Sequence, residues 1–282
     1  MGSVAIIGAG EIGGAIAYAL AARDRVHRVL LVDPSGTVAE GKALDISQTG
    51  PVAGFHTRLE GTTDATRIGG CDVCVVADRY ERGKGEWHGE EALAMLRELV
   101  PYAGSAPLVF AGPGQAALLQ TLARESPLPP SRLIGSAPEA LASSVAAIVA
   151  MEAGCSPAEV RLTVLGAPPA GFVVPWSEAS IGGYALDRML SQAQLARLEA
   201  RAARLWPPGP YTLGAAAAQV ADAILHHSRR SFAVLTILRG EFGVRNRVGA
   251  LPGTLAGGGI AGVRVPTLTP RERIQVETAL GA

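Results

Sequence analysis

The run Gly8-Ala9-Gly10-Glu11-Ile12-Gly13 spells G-x-G-x-x-G, a spacing of glycines that suits backbone recognition of a pyrophosphate. The first glycine permits a tight turn, the second lets backbone approach the phosphates, and the third lets a helix pack on a strand. A helix opening at Glu11 would add unpaired N–H groups and the positive end of its dipole. Asp33 follows about 20 residues after Gly13, where a carboxylate takes the two ribose hydroxyls of NAD and repels a 2′-phosphate. Gly8, Gly10, Glu11, Ile12, Gly13 and Asp33 are therefore the candidate cofactor-binding residues, and NAD is the cofactor they suit.

Other residues with chemical potential carry weaker signals. Cys71 and Cys74 form C-x-x-C, yet they lie in the apolar run Cys71–Ala77, which reads as a buried strand with two small core residues. Cys155 makes the cysteine count odd, which argues against a disulfide framework. No second Cys/His cluster completes a zinc site, so no metal is expected. His226-His227-Ser228-Arg229-Arg230 reads as the cationic end of an Ala-rich helix, and Glu139 as an acid in the first turn of another. The glycines of Gly253–Gly262 read as turn residues rather than as a second phosphate cradle.

The elements that must position these residues follow from hydropathy patterning. Apolar runs at Val4–Gly8, Val29–Val32, Asp72–Val76, Leu108–Ala111 and Leu133–Gly135 alternate with helical patterns at Glu11–Ala22, from Gly41–Ile46 and at Glu90–Val100. Strands alternating with helices predict an α/β fold, a doubly wound, mainly parallel Rossmann sheet. After residue 137 the pattern changes to mixed α+β. Helices are expected at Glu139–Ala153, Ser191–Leu205, Gly214–His227 and Arg271–Leu280, the last with Thr269 as N-cap and Pro270 in its first turn. Strands are expected at Glu159–Leu165 and Phe232–Leu238. Two domains result, 1–137 for a dinucleotide and 138–282 of substrate type. The 282 residues suit such a division, and with 48% hydrophobic and 18% charged residues the chain is not disordered. Twenty-five basic and 25 acidic residues cancel, so neither a nucleic acid nor an anionic membrane is an expected partner. The longest apolar stretches, such as Ala140–Met151, fall short of the ~20 residues a bilayer span needs. Met1 leads straight into an apolar strand with no basic segment, and a cytoplasmic location is the expectation.

With these motifs in order, the chain resembles the lactate/malate dehydrogenase family, on its malate side. Gly8–Gly13, Asp33, Gly41-Lys42-Ala43-Leu44-Asp45-Ile46-Ser47, Leu165-Gly166 and Gly240-Glu241-Phe242-Gly243-Val244 match its landmarks over essentially the whole length, with a shortening near Leu205–Pro210. The resemblance implies a small carboxylate ligand beside NAD, and a homodimer or homotetramer.

It also implies a catalytic set that this sequence lacks. The family places a general acid/base His in a G-G-H-G-D turn, oriented by the Asp of a D-x-x-R motif whose Arg clamps the substrate carboxylate. Here the turn reads Gly166-Ala167-Pro168-Pro169-Ala170-Gly171, and D-x-x-R falls on Leu141-Ala142-Ser143-Ser144. The family's P-R-x-P-G-x-x-R loop becomes Arg82-Gly83-Lys84-Gly85-Glu86-Trp87-His88, keeping one Arg and replacing the second by His88. Arg82 and His88 are the only candidates for a carboxylate ligand and a substitute proton donor. The alternative for this segment is a charged, solvated loop anchored by Trp87. Beside the cofactor, the family's T-A-G is Ala77-Asp78-Arg79 and its T-N-P is Ala111-Gly112-Pro113. Asp78 would either put a carboxylate on the pyrophosphate path or pair with Arg79 and leave the groove open. Two readings of function follow. One is a pseudoenzyme that has lost 2-hydroxy acid dehydrogenase activity and serves as a scaffold or dinucleotide binder. The other is an active NAD-dependent oxidoreductase with an altered substrate and a relocated acid/base.

Overall fold

The computed structural model describes residues 2–80 and 85–281. In the first half, β1 (Gly2–Ile7), α1 (Glu11–Ala22), β2 (Val26–Val32), α2 (Gly36–Gln48), the short α3 (Gly50–Ala53) and β3 (Arg58–Thr62) are followed by β4 (Val73–Val76), α4 (Gly89–Ala103), β5 (Leu108–Phe110), α5 (Ala116–Glu125) and β6 (Leu133–Gly135). The six strands run parallel in the order β3-β2-β1-β4-β5-β6. Alternate residues of β1 serve opposite faces. Val4 and Ile6 pack with Ile16 and Leu20 of α1, while Ala5 and Ile7 pack with Leu93 and Leu96 of α4. A strand covered on both sides must be apolar throughout, which is why β1, β2 and β4 read as continuous hydrophobic runs. The α/β Rossmann arrangement expected from the sequence is the one observed.

The second half contains α6 (Ala137–Ala153), β7 (Val160–Arg161), β8 (Leu165–Ala167), β9 (Gly171–Val173), β10 (Ser180–Ile181), β11 (Tyr184–Ala185), α7 (Leu186–Met189) and α8 (Gln192–Ala202). After these come α9 (Pro210–Leu225), β12 (Ser231–Arg239), β13 (Arg245–Ala256), β14 (Gly259–Val263) and α10 (Pro270–Leu280). β12 joins β6 antiparallel through Leu235 and Gly135, and the sheet continues through β13, β8 and β9, with β14 on β13. β7, β10 and β11 form a separate small sheet.

Several sequence expectations need correction or addition, among them Gly253–Gly262, where the turn is confined to Gly257 and Gly258 between β13 and β14, and the helix expected from Gly41, which begins at Gly36. Glu159–Leu165 is not one strand, because the chain changes sheets within it: Val160 and Arg161 pair with β10, and Leu165 pairs with β9. β3 carries Arg58, Glu60 and Gly61, so the edge of the sheet has no apolar run to betray it. Gly61 is needed there, since a Cβ would overlap the backbone of Ala39 in α2. α5 also escaped the hydropathy reading. At the C-terminus the expected cap is present: Thr269 accepts the Glu272 N–H and Glu272 accepts the Thr269 N–H, closing a capping box around Pro270.

The two halves meet along α1 and α9. Gly214 of α9 lies against Ala15, so close that an added Cβ would stand 2.5 Å from the Ala15 Cβ and 3.0 Å from its backbone. Gly41, in α2, has nothing within 4 Å of such a Cβ. Glycine-to-alanine changes at these two helical positions are expected to have opposite signs. Gly41→Ala stabilises by about 0.4–1 kcal/mol through lower unfolded-state entropy, whereas Gly214→Ala destabilises by about 1–3 kcal/mol through overpacking. Urea unfolding midpoints of the two variants check this.

Candidate functional site

The strand order reverses direction between β1 and β4, and in open α/β sheets the crevice beyond the strand ends at such a point receives the ligand. Gly8 leaves β1, Ala77 and Asp78 leave β4, and Ala111 and Gly112 leave β5, side by side. The ladder extends past the strands: Ala77 N donates to Ile7 O at 2.9 Å and Ala111 N to Val76 O at 2.9 Å. Each glycine of the first turn has a separate reason to be there. Gly8 holds φ at +112°, and a Cβ on it would overlap the Asp78 carbonyl. A Cβ on Gly13 would overlap the Gly8 carbonyl, which fixes the close approach of α1 to β1. A Cβ on Gly10 would overlap the Asp78 carboxylate.

That last contact defines the site. Asp78 does not pair with Arg79. Its carboxylate turns into the groove, where Oδ1 accepts the Gly13 N–H at 2.8 Å, while its carbonyl accepts the Gly10 N–H at 2.8 Å. The N-terminus of α1 is thus met by an anion from the chain itself, at the position where the second glycine lets a ligand approach the backbone. Arg79 turns the other way, pairing with Glu91 on α4 and stacking over Trp87 at 4.8 Å.

Asp33 is 1% exposed and fully engaged. Oδ2 accepts the N–H groups of Ala9 at 2.7 Å and Tyr80 at 3.1 Å, and Oδ1 accepts that of Ser35 at 2.9 Å. The carboxylate expected to hold a ribose therefore lies under the Tyr80 backbone in this arrangement. Glu11 is exposed and Ile12 is buried in the core, so these two residues offer the groove their backbone rather than their side chains. Lys42 donates to the Gly10 carbonyl. Burial pushes its ammonium below the ordinary lysine range, against the opposing pull of Asp78, Glu11 and Asp33.

A second carboxylate enters further along. Asp78 and Glu86 face each other across an antiparallel bridge, and Arg79 N donates to Gly85 O at 3.1 Å. Glu86 Oε2 accepts the Gly114 N–H at 2.9 Å, and a Cβ on Gly112 would overlap this carboxylate. Gln115 holds the same turn in place, accepting from Gly112 N at 2.9 Å and donating to Ala77 O at 3.0 Å. Sequence reading missed Glu86 and Gln115. The signal available was Gly112-Pro113-Gly114, a turn stripped of side chains that leaves a slot to be filled. Trp87 is the anchor of this segment at 5% exposure. His88 is exposed, with Nδ1 2.8 Å from the Glu86 carbonyl, and Arg82 lies outside the described residues.

In the second half, the turn between β8 and β9 carries Pro168, Pro169 and Ala170. Gly166 and Gly171 let it pack on Ala279 of α10. The ionisable residues of α6 are Glu139 and Glu152. Glu139 accepts the Ala233 N–H of β12 at 2.8 Å, and its burial raises its carboxyl above the usual range. Glu139 is thus more than a helix-end acid, since it ties α6 to the central sheet. Glu152 pairs with Arg197 of α8 at 2.7 Å. Cys71 and Cys74 are free, buried core residues, and burial pushes the Cys74 thiol up to about 12. Among the described residues no cluster of His, Cys, Asp or Glu could hold a metal ion, and no helix is long and apolar enough to cross a membrane.

The fold and its switch-point groove define a dinucleotide-binding α/β protein. The lactate/malate dehydrogenase NAD binding domain matches residues 3–90. Malate dehydrogenase of Thioalkalivibrio sulfidiphilus is 30% identical over 99% of this chain and 96% of its own, and that of Neorickettsia sennetsu is 27% identical over the same shares. The chain belongs to the lactate/malate dehydrogenase family. Its fold superposes on malate dehydrogenase from Salinibacter ruber with a TM-score of 0.88 at 24% identity, covering 99% of this chain and 94% of that one. Lactate dehydrogenase from Cryptosporidium parvum, solved with lactic acid and NAD, gives 0.88 at 23% identity with the same coverage.

The glycine turn and the N-terminus of α1 suit a dinucleotide, whereas the Asp33 carboxylate is already taken by three backbone N–H groups. The Asp78 carboxylate does not fit alongside a dinucleotide. Two unit charges about 4 Å apart repel by roughly 4 kcal/mol at an effective dielectric of 20, so a pyrophosphate and an ionised Asp78 are poor neighbours. Glu86 already feels such crowding. Burial raises its carboxyl above the ordinary 4.5, with Asp78 adding to the rise and the Gly114 N–H and His88 opposing it. A carboxyl raised in the fold costs stability when ionised and recovers it as pH falls through the raised value toward 4.5. Glu86→Gln is therefore expected to melt above the wild type at neutral pH, with the gap closing as pH falls to 4.5. Paired melting curves across this range check the sign.

Proposed function

We propose that this protein keeps the dinucleotide-binding half of a malate/lactate-type dehydrogenase and has lost 2-hydroxy acid dehydrogenase chemistry, acting as a dinucleotide binder or scaffold. The observation that carries this reading is the chemistry of the β8–β9 turn and α6. Moving hydride onto a keto acid needs a proton donor for the carbonyl oxygen, a group to orient that donor, and a cation for the carboxylate. Pro168-Pro169-Ala170 offers no titratable side chain, and both carboxylates of α6 are bound to other protein groups. Beside the turn lies a cleft of about 570 Å³ lined by Pro169, Phe172, Val173, Trp176 and Ile274, with Glu199 its ionisable residue. Neither a proton relay nor a carboxylate clamp is available there. Removing one acid/base partner commonly lowers a rate by ~10²–10⁴, and here the His of the turn and the Asp and Arg of D-x-x-R are all absent from the matching positions.

The division of labour we propose follows the change in pattern, with residues 1–137 for NAD and 138–282 as the substrate-type domain. His88 is a poor substitute acid, since it is exposed and its Nδ1 faces the Glu86 carbonyl. Purified protein supplied with NADH and oxaloacetate, or with pyruvate, is expected to oxidise no NADH above background, and His88→Ala to change nothing. Turnover that disappears on altering Arg82 would overturn the reading in favour of an active enzyme with relocated groups.

The family likeness also supports a homodimer or homotetramer. Tyr18 on α1, Leu44 on α2 and Tyr211 on α9 are exposed, and the first and last line one depression with Ala15, Ile46 and Pro210. Light scattering is expected to give a dimer or tetramer mass that falls to the monomer in the Leu44→Glu, Tyr211→Glu double variant.

A further inference from the structure

The two carboxylates that enter the groove come from one segment and land on two separate turns. We infer that Asp78 and Glu86 form a latch, holding the dinucleotide groove closed with the chain's own anions until an incoming dinucleotide displaces them. The inference rests on the reading of residues 1–137 as a dinucleotide-binding domain and adds how that site is controlled.

The chemistry of the competition is direct. A carboxylate and a phosphate seek the same partners, backbone N–H groups at a helix N-terminus. Asp78 Oδ1 takes the Gly13 N–H, and the whole carboxylate lies over Gly10 in the space that the missing Cβ leaves. Glu86 does the same at the next turn, taking the Gly114 N–H and covering Gly112. Electrostatics oppose an added anion as well. Among the described residues, Asp78, Asp33 and Glu11 act on the ammonium of Lys42, which is already committed to the Gly10 carbonyl.

The latch is fastened on both sides. On one side the Asp78 carbonyl accepts from Gly10 and the Tyr80 N–H donates to Asp33. On the other, Trp87 is buried beneath Arg79, and Arg79 is paired with Glu91. Among the described residues, opening breaks these bonds while the pairing of β1, β4 and β5 stays as it is. A ligand that binds only the open form has its affinity reduced by the open fraction. The two anions cover different parts of the groove, so they discriminate ligands. ADP, which carries the pyrophosphate but neither the second ribose nor the nicotinamide, competes with Asp78 alone, whereas NADH competes with both.

The test is calorimetric titration of the intact protein with NADH and with ADP, alongside hydrogen exchange of the Gly10–Gly14 amides. Asp78→Ala is expected to tighten both ligands by about tenfold or more and to speed exchange at Gly13. Glu86→Gln is expected to tighten NADH and leave ADP unchanged. Asp78→Asn, which keeps the volume and an acceptor while removing the charge, serves if the alanine variant fails to fold, and is expected to tighten both ligands severalfold. Equal affinities in wild type and every folded Asp78 variant would overturn the latch and leave the dinucleotide reading standing. Absence of binding at millimolar ligand in all variants, with faster exchange at Gly13, would overturn that reading and the latch with it.

Discussion

A helix that begins at the centre of a sheet leaves backbone N–H groups pointing into the crevice, and they must meet an acceptor. In this protein α1 begins at Glu11, at the reversal of strand order, and the acceptor at Gly13 is the carboxylate of Asp78. Much of the local architecture depends on that bond. It draws the end of β4 across the glycine turn, which brings Tyr80 over Asp33 and removes the latter from solvent. It sends Arg79 outward to Glu91, and the return of the chain at Gly85–Trp87 completes a short antiparallel pairing. A single side chain thus organises the mouth of the groove.

The second half has kept the frame of a dehydrogenase while its polar groups have other duties. Glu139 ties α6 to β12, Glu152 ties it to α8, and Glu272 serves both its own helix cap and Ser177. Burial works against an ionised Glu272, yet the hydrogen bonds from Ser177 and Thr269 outweigh it and hold the carboxyl below the ordinary range. These are structural uses of charge, each satisfied by a partner in another part of the chain. The described carboxylates of α6 and α10 thus hold the second half together, as Asp78 holds the glycine turn in the first.

Much of this was legible in the sequence, for identifiable reasons. Strands buried on both faces must be apolar, so β1, β2 and β4 announced themselves, and glycines under steric constraint cannot be replaced, so Gly8, Gly10 and Gly13 marked the turn. The edge strand β3 was silent because one side of it faces water, and α5 likewise went unread. Whether Asp78 would pair with Arg79 or enter the groove could not be read, because both options satisfy the same charges. Glu91 decides the matter by taking Arg79, and it lies 12 residues away on α4. Glu86 was hidden for a similar reason, as its partner Gly114 is 28 residues distant. Interactions of this kind leave no local pattern. They appear only once topology has brought β4 and β5 side by side.

The contact between α1 and α9 bears on how such a molecule can move. Long side chains at a helix crossing act as cushions that allow one rod to slide or roll over the other by changing rotamers. Gly214 against Ala15 offers none, since backbone rests almost on backbone, with the alanines of α9 continuing the same smooth surface into the core. The two halves are in effect welded along this line. A joint of this kind resists the sliding by which two lobes close on a guest like a jaw.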